Sequence, residues 1–512
     1  MPAGGEFKGS ISAKVTNWNT WFVDANNQEY TFMLAPVSPS YYSYDAKGTP
    51  VLNTDYVESV DEKVEGGKLV ITMNLNPKAI WNSGKVIGFA DWEATVKAQS
   101  GKDKAYRPAS SEGWNQIESV TKGTSDQQVI ITFKSTYPDW TGILSAGPLP
   151  ADGAKTADLY NKGWKEFNND WFSGPFKVES VDKSTGTVTE VPNEKWWGAK
   201  PKLAKIVFKV VDPETQATSF ANGEIDYLDM GSDPNAYKIA SEAKNSIVRK
   251  AAGPNFRHFT FNSKAGVLTD LKVRQAIVMG LDRGAIARSD LAGVDWEPKP
   301  LNNNVFVEGQ DGFKDEGAAT GIDFNVAKAK QTLEAAGWKL NASTGIYEKD
   351  GKPLTVTFAV LAGVAASENE SLQAQKMLKE IGVDLKVRSV PIAQFQDGSL
   401  LTEHKFDIVA FSWIGTPYPM KDICQIYGSE GGSNFAQLSL PTVDNLCKQI
   451  AVEMDRAKRL DLADQAAKTI WENVHTLPLY QRPMLIGVRD KLANIGAAGF
   501  GSIKWENVGY LA

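Results

Sequence analysis

Leu354-Thr355-Val356-Thr357-Phe358-Ala359-Val360, then Val383-Asp384-Leu385-Lys386-Val387-Arg388, then Phe406-Asp407-Ile408-Val409-Ala410-Phe411-Ser412-Trp413 are three strand-like runs in close succession. Ser367-Glu368-Asn369-Glu370 separates the first two. It has the form of a capping box, with Ser367 satisfying an orphan amide and Glu370 reaching back. Leu372, Leu378 and Ile381 recur at helical spacing, and Gly382 supplies a left-handed stop. The second run alternates apolar and polar residues, as a half-buried strand does. A helical stretch from Pro391 to about Glu403 leads into the third. The order β-α-β-α-β predicts right-handed crossovers and largely parallel pairing. Ligands of open α/β sheets bind beyond the carboxyl ends of the strands. Residues 413–416 stand at such an end, so the pattern alone nominates them for a ligand cleft.

The same signals recur elsewhere. Residues 69–75, 128–133 and 205–211 read as strands separated by Gly, Asn and Pro. Asn325 reads as the cap of a helix carrying Val326, Ala329, Leu333 and Ala336, ended by Gly337. The 512 residues are 42% hydrophobic and 23% charged, enough for two or three lobes. The net charge of −6 offers no basic excess for a phosphate backbone, so nucleic acid is not an expected partner. No apolar run is long enough to cross a bilayer. Met1-Pro2-Ala3-Gly4-Gly5 lacks the apolar core of a signal peptide.

Histidines 258, 404 and 475 form no zinc pattern and read as surface or packing residues. There is no Gly-x-Ser-x-Gly elbow, and Ser83-Gly84-Lys85-Val86 lacks the earlier Gly and later Ser/Thr of a phosphate loop. Cys424 and Cys447 are either a disulfide or two buried thiols. Cys447 shares a helical stripe with Val443, Leu446, Ile450 and Met454, so it points inward in both cases. Asn341-Ala342-Ser343 reads as a surface turn.

A set of longer motifs runs in order along the chain. Trp81-Asn82-Ser83-Gly84-Lys85 is followed by Asp91 and Trp92. Next come Trp171-Phe172-Ser173-Gly174-Pro175-Phe176-Lys177 and Pro192-Asn193-Glu194-Lys195-Trp196-Trp197-Gly198. Asn222-Gly223-Glu224-Ile225-Asp226 and Phe261-Asn262 precede Val273-Arg274-Gln275-Ala276-Ile277 and Asp282-Arg283. Leu333-Glu334-Ala335-Ala336-Gly337-Trp338 and Leu477-Pro478-Leu479-Tyr480-Gln481 complete the series. Together they resemble extracellular solute-binding protein family 5, the oligopeptide- and dipeptide-binding proteins of ABC importers, in its actinobacterial form.

The resemblance implies an α/β, two-lobed periplasmic-binding-protein-like fold (type II, cluster C) with an extra inserted domain. Domain I would comprise 1–50, 168–258 and 483–512, domain II the insertion 51–167, and domain III 259–482. It implies a monomer without catalysis or cofactor that closes about a hinge on an oligopeptide or related small solute. The partner would be the transmembrane subunits of an ABC permease. It further implies an extracellular protein whose leader, commonly carrying a lipid anchor, is absent from this chain. Phe411, Ser412, Trp413, Ile414, Gly415 and Thr416 match the segment lining one wall of the family's cleft, where the protein pairs with the ligand main chain. Trp413 would pack on the ligand and Gly415 would allow close backbone approach. Many peptide binders carry an Asp where this chain has Thr416, so recognition of a ligand ammonium is either weakened or supplied elsewhere, and a modified, amidated or capped peptide fits as well. An oligosaccharide or glycolipid is the alternative solute, and an extracellular hydrolase or lipoprotein regulator the alternative class. On the other wall, residues 11–15 read as a short strand, and the loop after it carries Trp18, Asn19 and Trp21. Trp18 and Trp21 either stack on the ligand or belong to the core, and Asn19 would hydrogen-bond the ligand. Tyr480 and Arg482 lie on a returning strand, where Arg482 would hold a carboxylate or an ion pair. Trp196 and Trp197 read as structural, wedging a turn against domain I.

Overall fold

The computed structural model describes all 512 residues, which divide into two compact units. The first comprises 1–251 and 484–512, the second 252–483. The two connections between them run inside the long strands Ser246–Phe261 and Thr476–Arg489.

In the first unit, Glu6–Ile11 pairs in parallel with Lys205–Val210, and Val188–Pro192 and Phe176–Val181 continue that sheet antiparallel. A separate antiparallel sheet has the order Val57–Glu65, Lys68–Leu75, Gln128–Phe133, Ile117–Lys122. Lys68–Leu75 and Gln128–Phe133 alternate strictly between buried and half-buried positions, as their sequence requires. The first strand ends at Ile11, so residues 12–15, expected to extend it, are loop. The family motifs of this unit act as ties. The Asp226 carboxylate accepts from the Lys8 amide, Arg489 Nε and the Tyr510 hydroxyl, joining both chain ends. Asp91 accepts from Trp81 Nε1 and the amides of Gly88 and Ala151. Trp197 Nε1 donates to the Asp55 carbonyl, and both Trp196 and Trp197 pack on the Tyr56 ring.

In the second unit, Thr355–Leu361 lies between Asp384–Val390 and Ile408–Trp413 and is parallel to both, the arrangement expected from the sequence. Ser246–Phe261 then adds antiparallel to Ile408–Trp413. The helix Ala365–Glu380 ends in a Schellman motif: Gly382 (φ +75°) donates to the Lys379 carbonyl and Val383 to that of Leu378. Asn325 caps Val326–Ala335 through the Lys328 amide, and Gly337 with Trp338 closes that helix in the same way.

Five local expectations need correction. Ser367 is not a cap: the helix begins at Ala365, and the buried Ser367 hydroxyl accepts from the Leu361 amide. Glu370 does not reach back to a cap but pairs with Arg257. The helix expected from Pro391 breaks at Gly398 into Ile392–Gln396 and Ser399–Thr402. Asp384–Val390 is the sheet's terminal strand and has one neighbour, so its alternation fails at Val387, which is exposed. Cys424 and Cys447 are free thiols placed as hydrogen-bonding neighbours. The helix bearing Cys447 ends at Ile450, leaving Met454 outside the buried stripe.

Candidate ligand-binding site

The strand Ile408–Trp413 is buried on both faces through Phe411 and opens to solvent at its last residues. This change follows the chain as it leaves the sheet at its carboxyl end. The Phe411 ring is core, edge-on to His258 and Trp413 and close to Phe395 and Phe435. The half-buried Trp413 indole lies parallel to the His258 imidazole at 5.5 Å and to Phe435 at 6.1 Å. Its Nε1–H is buried and has no acceptor in the protein. Ile414 follows, with 75% of its surface in solvent, far more than an aliphatic side chain next to a core normally shows.

Gly415 is required for a reason internal to the fold. A Cβ there would stand 2.1 Å from the Pro254 carbonyl oxygen, so the strand crossing at 254 excludes any side chain. Thr416 fixes the turn that follows. Its carbonyl accepts from Gln310 Nε2 at 3.0 Å, and its hydroxyl accepts from the Tyr418 amide and donates to Asp422 Oδ2 at 3.1 Å. Asp422 sits in the first turn of Pro419–Tyr427, where the helix dipole favours a carboxylate. Trp413, Ile414, Gly415, Thr416, Asp422 and Asn304 line one recess of about 30 Å³. Asn304 is buried with Oδ1 unpartnered, while its Nδ2 donates to Thr476. Two polar atoms of these lining residues, the Trp413 Nε1–H donor and the Asn304 Oδ1 acceptor, are thus buried without a protein partner.

Tyr480 and Arg482 lie outside this recess. Tyr480 is fully buried, and its hydroxyl donates to Asp290 Oδ2 at 3.1 Å. Asn369 Nδ2 holds the other Asp290 oxygen at 2.6 Å. Beside them Arg257 grips the fully buried Glu370 in a two-bond fork, with Nε to Oε1 at 2.8 Å. Arg257 thus makes its ion pair with Glu370, while Asp290 is held by the neutral Tyr480 and Asn369 side chains. Burial, and next the nearby Glu370 charge, push Asp290 up to about 8. Arg482 follows on the same strand and is half-buried.

In the first unit, Trp18, Asn19 and Trp21 line a common cavity of about 310 Å³. The Trp18 indole is buried, edge-on to Phe167 at 4.9 Å. Asn19 is buried and fully used: Nδ2 donates to the Tyr160 carbonyl, and Oδ1 accepts from the Trp21 amide. Trp21 is half-buried against Trp114. Trp81, Trp164, Trp171 and Phe172 also line the cavity and were not singled out as ligand contacts from the sequence. Their signal was a local crowding of aromatic residues around Trp171, which on its own fits a core equally well. Asp422 was also missed, because a lone Asp in a first helical turn is ordinary.

The model for the bacterial extracellular solute-binding proteins, family 5, matches residues 49–435. The chain belongs to that family. It is 33% identical over 511 residues to the oligopeptide-binding protein OppA of Mycobacterium tuberculosis, spanning 99% of this chain and 85% of that one. Among solved structures, the periplasmic EDTA-binding protein EppA superposes with a TM-score of 0.86 at 23% identity, covering 100% of this chain and 97% of that one. The oligopeptide-binding protein AppA from Bacillus subtilis, solved in complex with a nonapeptide, gives 0.74 at 21% identity, with 100% of both chains covered. These structures establish the fold, the two-lobed type II class of solute-binding proteins, for this family member.

Proposed function

We propose that this family member captures oligopeptides outside the cell and delivers them to an ABC permease, without chemical turnover. The observation that carries the reading is the end of the strand Ile408–Trp413. There an exposed Ile414 and an indole Nε1–H without a protein acceptor stand at the carboxyl edge of parallel strands. Full-length similarity to a protein named for oligopeptide binding supports the same solute. Trp413 packs on the ligand, the main chain at 414–416 pairs with it, and Asp422, held by Thr416, supplies the anion for a ligand ammonium. On that assignment a ligand ammonium has an anion beside it although position 416 is Thr. In the same proposal residues 51–167, with their own antiparallel sheet, form an inserted domain, and the strand crossings near 252 and 483 act as the hinge. Ligand then shifts the population of a closed state by its differential affinity, which the permease reads. The protein acts as a monomer, without cofactor, anchored to the cell membrane by a lipid.

The test is native mass spectrometry of the purified protein, followed by mild denaturation and identification of what is released. A ladder of peptides supports the reading and gives the tolerated lengths. A glycan or glycolipid overturns it. If the protein emerges empty, thermal-shift screening of peptide and sugar libraries decides, and stabilisation by sugars alone again overturns it.

A further inference from the structure

The cavity of the first unit has a chemical character that the peptide reading does not require. None of its lining side chains carries a formal charge, and Trp, Tyr, Phe, Leu and Pro dominate it. Several of its polar donors are already committed within the protein. Trp81 Nε1 donates to Asp91, Trp164 Nε1 to the Gly153 carbonyl, and Asn19 Nδ2 to Tyr160. The Ser40 and Ser145 hydroxyls donate to the carbonyls of Tyr42 and Gly142. A hydroxyl-rich or charged group entering here would leave its water partners and find few replacements, which is costly. An apolar group gains from leaving water and loses nothing.

At about 310 Å³ the space is roughly twice the 150 Å³ of an apolar cavity that accepts benzene. It therefore suits a bulky ring or branched chain. A second cavity of about 200 Å³ continues from it through Ala35, Ser38, Ser40 and Ser502, and that one carries Asp55, Lys504 and Glu506. An apolar compartment opening directly into a charged one matches a peptide residue, with a greasy side chain and a polar backbone flank.

From this we infer that the Trp-lined cavity is a side-chain pocket selecting a bulky uncharged residue, aromatic or branched aliphatic, at one position of the bound peptide. The inference rests on the peptide reading and adds a sequence preference to it.

The experiment is isothermal titration of the purified protein with pentapeptides. Each position of an all-alanine parent is replaced in turn by Trp, Leu, Ser, Lys or Glu. At one position the Trp and Leu peptides are expected to bind about tenfold or more tighter than the Ser, Lys and Glu peptides, the scale of burying one large apolar side chain. Ala35→Trp, at an exposed position on the cavity wall, should collapse that ratio to less than about threefold, with its melting temperature confirming that it folds. Flat affinities, or a preference for charged or hydroxyl residues at every position, overturn the pocket and leave peptide binding standing. Retention of the full preference in Ala35→Trp also overturns it. Failure of every peptide to bind overturns the peptide reading, and the pocket with it.

Discussion

Glu190 lies on the core face of the strand Val188–Pro192, opposite Ile206 on one side and Val178 on the other. It is completely buried, and neither carboxyl oxygen has a hydrogen-bond partner. Burial alone drives its ionisation well above the usual carboxylate range. The sign of the effect follows from linkage. A folded-state pKa raised above the unfolded value contributes stability that is fully present below the unfolded pKa, about 4.3, and lost as pH rises toward the folded one. Each pH unit in that interval costs about 1.4 kcal/mol. Glu190→Gln is nearly isosteric and cannot ionise. It should match the wild type at pH 4 and exceed it by about 1–4 kcal/mol at pH 7. For a domain of this size that corresponds to about 2–4 °C in melting temperature per kcal/mol. Glu190→Met also removes the unpartnered polar group and should gain roughly a further 1–3 kcal/mol at both pH values, less any strain from its larger volume. Differential scanning calorimetry across pH 4 to 8 measures both variants. A Gln variant that melts below the wild type at pH 7, with an unchanged pH slope, would refute the reasoning. It would mean that the carboxylate is stabilised by a partner that burial arguments overlook.

Three further outcomes are expected. Arg257→Met leaves the fully buried Glu370 without its fork and should destabilise the second unit by about 3–5 kcal/mol, read as a lower denaturant midpoint; a loss under 1 kcal/mol would show that the fork contributes little to stability. Gly415→Ala pushes a methyl against the Pro254 carbonyl and should lower both the melting temperature and peptide affinity, whereas a neutral result would show that the 412–418 turn relaxes freely. For the thiols, Cys424 is half-buried with its pKa lowered by the Cys447 hydrogen bond, while Cys447 is buried with its pKa raised. A thiol-reactive dye should therefore label one equivalent in the native protein and two in denaturant; no labelling in denaturant would mean a disulfide.

Much of the fold was legible because local signals there agree with tertiary demands. Asn325, Gly337 and Gly382 fulfil their cap and stop roles because those roles depend on the backbone of one turn. The parallel arrangement of residues 355–413 followed from element order and the handedness of crossovers. The misreadings share one cause, which is that a distant partner outcompeted a local one. Glu370 would complete a capping box, but the guanidinium of Arg257, 113 positions earlier, makes two charge-assisted bonds to it in a dry interior. Ser367 follows the same logic, giving its oxygen to the amide of Leu361.

The site was less legible because a side chain's duty depends on which atoms remain unused after folding. Trp413 and Phe411 are two residues apart on one strand, and nothing in sequence distinguishes them. Folding completes the packing of Phe411 and leaves Trp413 half open, with an indole hydrogen unspent. Gly415 shows the converse: a glycine at a cleft suggests room for ligand, yet here the Pro254 carbonyl alone demands it. Trp18 was read as either a ligand contact or core, and Asn19 as a hydrogen-bonding ligand contact. Both are buried, yet both line the uncharged cavity of the first unit. Where the wall's donors are already bonded within the protein, as at Trp81, Trp164 and Asn19, what it offers is shape and an apolar surface. Asp422 offers the opposite kind of recognition, a fixed charge at a helix start.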